Sequence, residues 1–292
     1  MTLSQAAILG TPRAYSRFIE LQFRPGADLK AGLRSLADTP ACDKAVVGLG
    51  AGLLHRLEQK VEGLTGFPAL HAGEIDVPST QADLWLWLNG EDPGQVAHAA
   101  RDWRHRLDPA FQIVRSVDGF VYDGGRDLTG YEDGTENPTG DDAALAAIAQ
   151  DGGAGLDGGS FVAVQQWLHD LDHFASLDAD RRDNIIGRRI SDNEELDDAP
   201  ASAHVKRTAQ ESFDPKAFVL RRSMPWASAD QAGLMFVAFG RSLDAFNSQM
   251  RRMAGMEDGI VDALFEFSRP ITGSYFWCPP IRDGRLDLSA IL

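Results

Sequence analysis

Ala82-Asp83-Leu84-Trp85-Leu86-Trp87-Leu88 reads as a strand, because its two-residue period sets Leu84, Leu86 and Leu88 opposite Trp85 and Trp87. Just beyond it, Pro93 opens a helix whose Val96, Ala100, Trp103 and Leu107 share one stripe. Phe111-Gln112-Ile113-Val114 then forms another strand. Upstream, Lys44 to Leu49 reads as a strand, and Asp28 is placed to cap a helix running to about Ala37 with Leu29, Leu33 and Leu36 at helical spacing. Before that, Phe18-Ile19-Glu20-Leu21-Gln22-Phe23 alternates as a half-buried strand that Pro25-Gly26 ends. The order β-α-β-β-α-β is the split βαβ of ferredoxin-like domains.

The rest of the chain repeats this order. Phe161 to Trp167 reads as a strand, Leu171 to Arg188 as an interrupted helix, Ala217 to Arg222 and Leu234 to Phe239 as strands, Leu243 to Met253 as a helix, and Gly273 to Trp277 as the last strand. The expected fold is therefore α+β: two ferredoxin-like (βαββαβ) halves with antiparallel sheets. The Gly- and Asp-rich region from Asp118 to Asp157 is the expected boundary, dividing the chain into residues 1–125 and 126–292.

The 292 residues leave ample room for a core, and 43 acidic against 28 basic residues give a formal net charge of −15. That balance argues against nucleic acid or an anionic membrane as the main partner. Cys42 and Cys278 form no close-spaced motif, so a disulfide framework is not expected. No apolar run reaches the ~20 residues of a membrane span, and Ala6-Ala7-Ile8-Leu9 lacks a basic leader. The expected location is cytoplasmic. The acidic stretch Ser191 to Pro200 reads as a solvated loop.

Nucleotide signatures are absent, and the acidic loops miss the calcium-loop spacing, since the turn Gly would fall on Leu128 or Pro138. Of seven histidines, His98 and His105 lie a heptad apart on the Pro93 helix and read as solvated. His169 and His173, at i and i+4, have metal-binding spacing but no third ligand nearby, and read as the surface of a helix N-terminus. His204 follows the acidic loop and precedes a strand bearing Arg221. Such a His serves either as an axial ligand or as a structural residue. Gly130-Tyr131-Glu132-Asp133-Gly134-Thr135-Glu136-Asn137-Pro138 is a rigid turn that places Asp133 between two permissive glycines. On these residues alone it is either an acidic surface turn or a carboxylate held for use.

Gly130-Tyr131-Glu132-Asp133-Gly134 resembles the Gly-x-x-Asp-Gly motif of dye-decolorizing peroxidases, and Glu136-Asn137-Pro138 continues it in that family's manner. His204 and Val219-Leu220-Arg221-Arg222-Ser223-Met224-Pro225 follow in the family's order, as do Gly158 to Leu171, Ile186-Gly187-Arg188 and Phe265-Glu266-Phe267-Ser268. The compact length is similar to that of the bacterial B-type subgroup. The resemblance implies haem b held mainly by the second half, hydrogen peroxide as oxidant and a small reducing substrate, with dyes and phenols as typical reporters.

It further implies His204 as the proximal iron ligand and Asp133 as the distal proton shuttle, approached closely because Gly130 and Gly134 flank it. Arg221 would stabilise the charge that develops as the peroxide bond breaks, and its loss is expected to cost at least as much as loss of Asp133. With that base beside a cation, the expected activity optimum is acidic. Glu266 is the preferred carboxylate partner of His204, with Asp262, one helical turn earlier, as the other candidate. Ser223 stands where several relatives carry Asn and can still offer a hydrogen bond. Leu234, Phe236 and Phe239 would wall the macrocycle or simply fill the core, and Arg222 would face a propionate or solvent. Trp167 and Trp277 read as packing residues rather than radical sites. A homo-oligomer is implied, and the short chain after Pro280 makes loading into a protein shell unlikely as an expectation. The rival reading is a haem-binding or haem-handling protein.

Overall fold

In the computed structural model, which describes residues 3–292, the alternating stretches become strands and the striped ones helices. The first half runs β1 (Tyr15–Phe23), α1 (Leu29–Ala37), β2 (Ala45–Leu49), β3 (Leu84–Gly90), α2 (Pro93–Leu107) and β4 (Phe111–Phe120). Asp28 caps α1 by accepting from the Ala31 amide at 3.0 Å, and Asp92 caps α2 by accepting from Gly94 and Gln95. Leu33 and Leu36 of α1 and Val96, Ala100 and Leu107 of α2 are buried against the sheet, whereas His98 and His105 are exposed as expected.

The second half runs β5 (Ser160–His169), α3 (Leu171–Ser176), α4 (Ala179–Ile186), α5 (His204–Arg207), β6 (Leu220–Arg221), β7 (Met224–Ala227), β8 (Ala232–Gly240), α6 (Asp244–Met253), β9 (Ser268–Pro270) and β10 (Ser274–Cys278). The helical interruption is genuine: Asp170 caps α3 through the His173 amide and Asp178 restarts the chain as α4 through the Arg181 amide. The strand expected from Ala217 to Arg222 is shorter. Side chains take its first backbone groups, with Gln249 donating to the Ala217 carbonyl and Gln210 accepting from the Val219 amide. Leu220 and Arg221 pair with β8, and the Arg222 amide adds one further bond, to the Val237 carbonyl at 2.8 Å.

These ten strands form one antiparallel sheet, ordered β4-β1-β3-β2-β10-β5-β8-β6, with β9 added to β5 and β7 added to β8, while Leu70–Ala72 with Ile75–Val77 and Ile281–Arg282 with Arg285–Leu286 form two separate two-stranded sheets. Each half has the 4-1-3-2 order of a ferredoxin-like unit, and the two meet edge to edge where Leu49 pairs with Trp277. The sheet curls until β4 lies against β7. Gly119 permits that approach, since a Cβ there would sit 3.2 Å from the Met224 Cβ. Leu84, Leu86 and Leu88 join the core under the helices. Trp85 and Trp87 join a second core inside the curl with Phe18, Phe239 and Phe276. The strand that opened the sequence reading is buried on both faces.

One carboxylate is buried near the end of this inner core. Glu20 is 4% exposed, with Arg115 Nε at 3.1 Å and the Ser274 hydroxyl at 3.3 Å. Burial raises its pKa above the ordinary carboxylate value, with Arg115 and then Ser274 opposing. A raised folded-state pKa contributes stability below the unfolded value and loses it as pH rises through the folded value. Glu20→Gln should therefore gain stability relative to the parent as pH goes from about 5 to about 8. Urea unfolding at the two pH values checks this, and a relative loss with rising pH contradicts it.

Candidate active site

The second half encloses a cavity of about 300 Å³ between the sheet and α6. Trp167 on β5 and Leu234 and Phe236 on β8 line one side, their alternation on facing strands bringing them to the same face. Phe246, Met250 and Met253 recur at helical spacing on α6 and line the other. Phe239 points to the inner core instead.

His204, the first residue of α5, also lines the cavity. Its Nδ1 lies 2.8 Å from Asp262 Oδ2, and the other oxygen of Asp262 accepts from the Leu264 amide at 2.8 Å. Asp262 is 1% exposed and caps the 3-10 turn Ala263–Glu266. An acceptor-only carboxylate at Nδ1 assigns the proton to that nitrogen and leaves the lone pair on Nε2. Three residues along α5, Arg207 is buried and makes a bidentate pair with Asp258 at 2.8 and 2.7 Å. The Arg207 hydrogen bond, supported by the Ile260 amide, holds the Asp258 carboxyl down to about 2. The short helix is thus tied at both ends to the 254–262 segment.

Glu266, the preferred partner of His204 from sequence, is corrected by this geometry. Its carboxylate pairs with Arg181 on α4. The one-helix-face argument fails because Asp262 precedes a 3-10 turn rather than lying within an α-helix, so residues four apart do not align.

The Asp133 loop lies along the cavity rim. Gly130 and Gly134 have φ of +89° and +81°, a region costly for side-chained residues, and a Cβ on Gly134 would come within 3.0 Å of Asn137 Nδ2. Asn137 fastens the loop to β6: its amide donates to the Arg221 carbonyl at 3.0 Å and accepts from the Arg221 amide at 2.8 Å. This brings Arg221 Nη1 to 3.5 Å from Asp133 Oδ1, with both side chains partly buried and lining the cavity. Arg221 Nε is buried with no partner among the described residues.

Ser223 is not part of this lining. Its hydroxyl accepts from the Val237 amide at 3.3 Å, a contact that leaves its O–H able to donate. Arg222 turns away as well, donating to the Ile8 and Leu9 carbonyls.

His169 requires a larger correction. It ends β5, so it does not share a helix face with His173, and it is buried in the cavity wall. Its Nδ1 lies 2.7 Å from the Ser268 hydroxyl, and Nε2 lies 3.3 Å from Asp127 Oδ1, off hydrogen-bond geometry. Burial pushes the Asp127 pKa up, but His169 and the Thr129 hydroxyl and amide outweigh it, and the net shift is downward. Asp127 precedes the Gly130 turn, so this pair anchors the start of the loop. Asp127 received no role in the sequence reading. An Asp three residues before Gly130, in a Gly- and Asp-rich run, was its only signal.

Among the described residues no group of three or more His, Cys, Asp and Glu could hold a bare metal ion. One free imidazole nitrogen, apolar walls and an Asp–Arg pair instead suit an iron that brings its own equatorial ligands, as haem does.

The comparisons agree with this chemistry. Residues 35–121 match the family described as Dyp-type peroxidase, N-terminal, and residues 124–283 match Dyp-type peroxidase, C-terminal. The chain is similar to a dye-decolorizing peroxidase of Rhodococcus erythropolis, with 31% identity over 80% of this chain and 71% of the relative. Its fold is similar to that of a dye-decolorizing protein from V. cholerae, with a TM-score of 0.85, 30% identity and coverage of 94% and 97% of the two chains. A DypB variant of Rhodococcus jostii RHA1 in complex with heme gives a TM-score of 0.86 at 30% identity, covering 96% of this chain and 97% of that one.

Proposed function

The chain belongs to the Dyp-type peroxidase family, and from that premise we propose that it is a haem b peroxidase working through His204, Asp133 and Arg221. The observation that carries the reading is the His204–Asp262 hydrogen bond at 2.8 Å, which leaves a metal-binding nitrogen in a cavity whose rim holds the Asp133–Arg221 pair. When bound, the haem iron supplies two-electron reduction of peroxide followed by one-electron oxidation of donors.

His204 Nε2 would hold the iron, and Asp262 would fix the ring and make it a stronger donor. Asp133 would take a proton from one peroxide oxygen and return it to the departing one. Arg221 would stabilise the negative charge that builds on the departing oxygen. Leu234 and Phe236 would wall the macrocycle. Hydrogen peroxide and a small one-electron donor, such as a dye or phenol, are the substrates of this reading, which also places the protein in the cytoplasm as a homo-oligomer. It takes residues 126–292 as the haem-binding half and 1–125 as the other. Among the described residues no helix is long and apolar enough to cross a membrane.

Asp133→Asn should leave haem binding intact and slow the peroxide reaction by roughly 100-fold, the range of a lost proton shuttle. Stopped-flow mixing of haem-loaded protein with peroxide measures it. Unchanged kinetics across pH would return the loop to a structural turn. Slow reaction of the parent itself would favour the haem-handling reading.

A further inference from the structure

Six residues after His204, Gln210 opens a 3-10 turn, Gln210–Ser212, that follows α5 almost directly. The stretch between them is tightly bonded. The Thr208 amide and hydroxyl both donate to the His204 carbonyl, at 3.0 and 2.8 Å, and the Ser212 amide donates to the Ala209 carbonyl at 3.0 Å. Arg207, paired with Asp258, holds the stretch in place. A displacement of the His204 backbone therefore carries Gln210 with it.

Gln210 is 5% exposed and lines the cavity. Its Nε2 donates to the Glu136 carbonyl at 2.9 Å, its Oε1 accepts from the Val219 amide at 2.8 Å, and its own carbonyl accepts from the Ala217 amide at 2.9 Å. Glu136 immediately precedes Asn137, whose side chain clamps the Arg221 backbone, and Val219 lies two residues before Arg221. One side-chain amide thus joins the segment carrying His204 to the loop carrying Asp133 and to the approach of β6 carrying Arg221. Glutamine suits the bridge because it offers a donor and an acceptor on one planar group, and each of its partners is a backbone group that must be satisfied.

We propose that Gln210 is a positioning residue that couples the iron ligand to the reacting pair, so that iron held by His204 sets the placement of Asp133 and Arg221 through this amide. The coupling rests on the haem-peroxidase reading. Arg221 Nη1 and Asp133 Oδ1 are 3.5 Å apart, longer than a charge-assisted hydrogen bond. A displacement of less than about 1 Å closes that gap, and misplacement on this scale changes reaction rates by as much as about 100-fold.

Peptide-resolved amide hydrogen exchange of the haem-free and haem-loaded protein tests the coupling. In the parent, haem loading should slow exchange by at least about fivefold in the segments around 134–139 and 217–222, the low end of coupling between sites. The slowing should fall below about twofold in Gln210→Leu, and likewise in His204→Ala loaded with haem and imidazole, because each breaks one end of the route. The reaction of Gln210→Leu with peroxide should also be about tenfold slower than that of the parent. A residue that only stabilised the fold would speed exchange with and without haem alike and leave the difference on loading in place. Slowing that persists undiminished in either variant overturns the coupling, as does an unchanged peroxide rate in Gln210→Leu. Should Gln210→Leu fail to fold, Gln210→Glu at pH 8 decides, since its carboxylate still accepts from Val219 but has no hydrogen for Glu136; slowing kept around 134–139 then overturns the coupling. A parent that takes up haem without slowing in either segment sinks the coupling alone. A parent that takes up no haem sinks the peroxidase reading beneath it.

Discussion

His204→Ala is expected to weaken haem binding by at least about 100-fold, because loss of a mere hydrogen-bonding partner of a metal ligand already costs 10- to 100-fold. The short helix α5 offers no substitute. His169, the other histidine in the cavity wall, has Ser268 beside one ring nitrogen and Asp127 beside the other. Added imidazole should restore the absorption of bound haem in this variant by taking the place of the missing side chain. Haem titration followed by absorption measures the effect, and unchanged affinity with an unchanged spectrum would remove His204 as the ligand. The same titration separates the two carboxylates: Asp262→Asn should change the spectrum and raise the reduction potential, while Glu266→Gln, which loses only its pairing with Arg181, should not.

Arg221→Leu should slow the reaction with peroxide by roughly 1,000-fold, the upper range for removing a charge aimed at a developing anion. The guanidinium is partly buried, has one nitrogen without a protein partner and sits 3.5 Å from Asp133. Its loss removes the stabilising charge and also leaves the Asp133 carboxylate without its cation, so the effect should equal or exceed that of Asp133→Asn. The backbone of Arg221 stays clamped by Asn137 in the variant, so haem binding should survive. Stopped-flow rates of the two variants compare these effects, and a faster reaction in Arg221→Leu than in Asp133→Asn would reverse the assigned roles.

The fold was legible because its strands declare themselves locally. The alternation at 84–88 and the stripe on α2 need no knowledge of the rest of the chain, and the repeated element order implies the repeated unit. Motif and order group Asp133, His204 and Arg221 in the sequence, and all three line the cavity. What failed depended on local geometry that residue spacing does not encode. Glu266 and Asp262 look equivalent under helical spacing, and only the 3-10 turn separates them. One signal was available: an Asp directly before Ala263-Leu264 is well suited to cap a turn. His169 and His173 look paired until Asp170 caps α3 and leaves His169 on the strand. Ser223 has the right offset from Arg221, yet it lies outside the cavity lining, with its hydroxyl accepting from the Val237 amide. The Gln210–Glu136 contact joins residues 74 apart, a distance over which periodicity carries no information.

The central claim is that the cavity above His204 holds a haem that reacts with peroxide. The most direct measurement is the absorption spectrum of the purified protein, supplied with haem during expression, before and after a stoichiometric amount of hydrogen peroxide. A strong Soret band that shifts on mixing and returns when a one-electron donor is added is the predicted result. A protein without a Soret band, or one whose band is indifferent to peroxide, would contradict it.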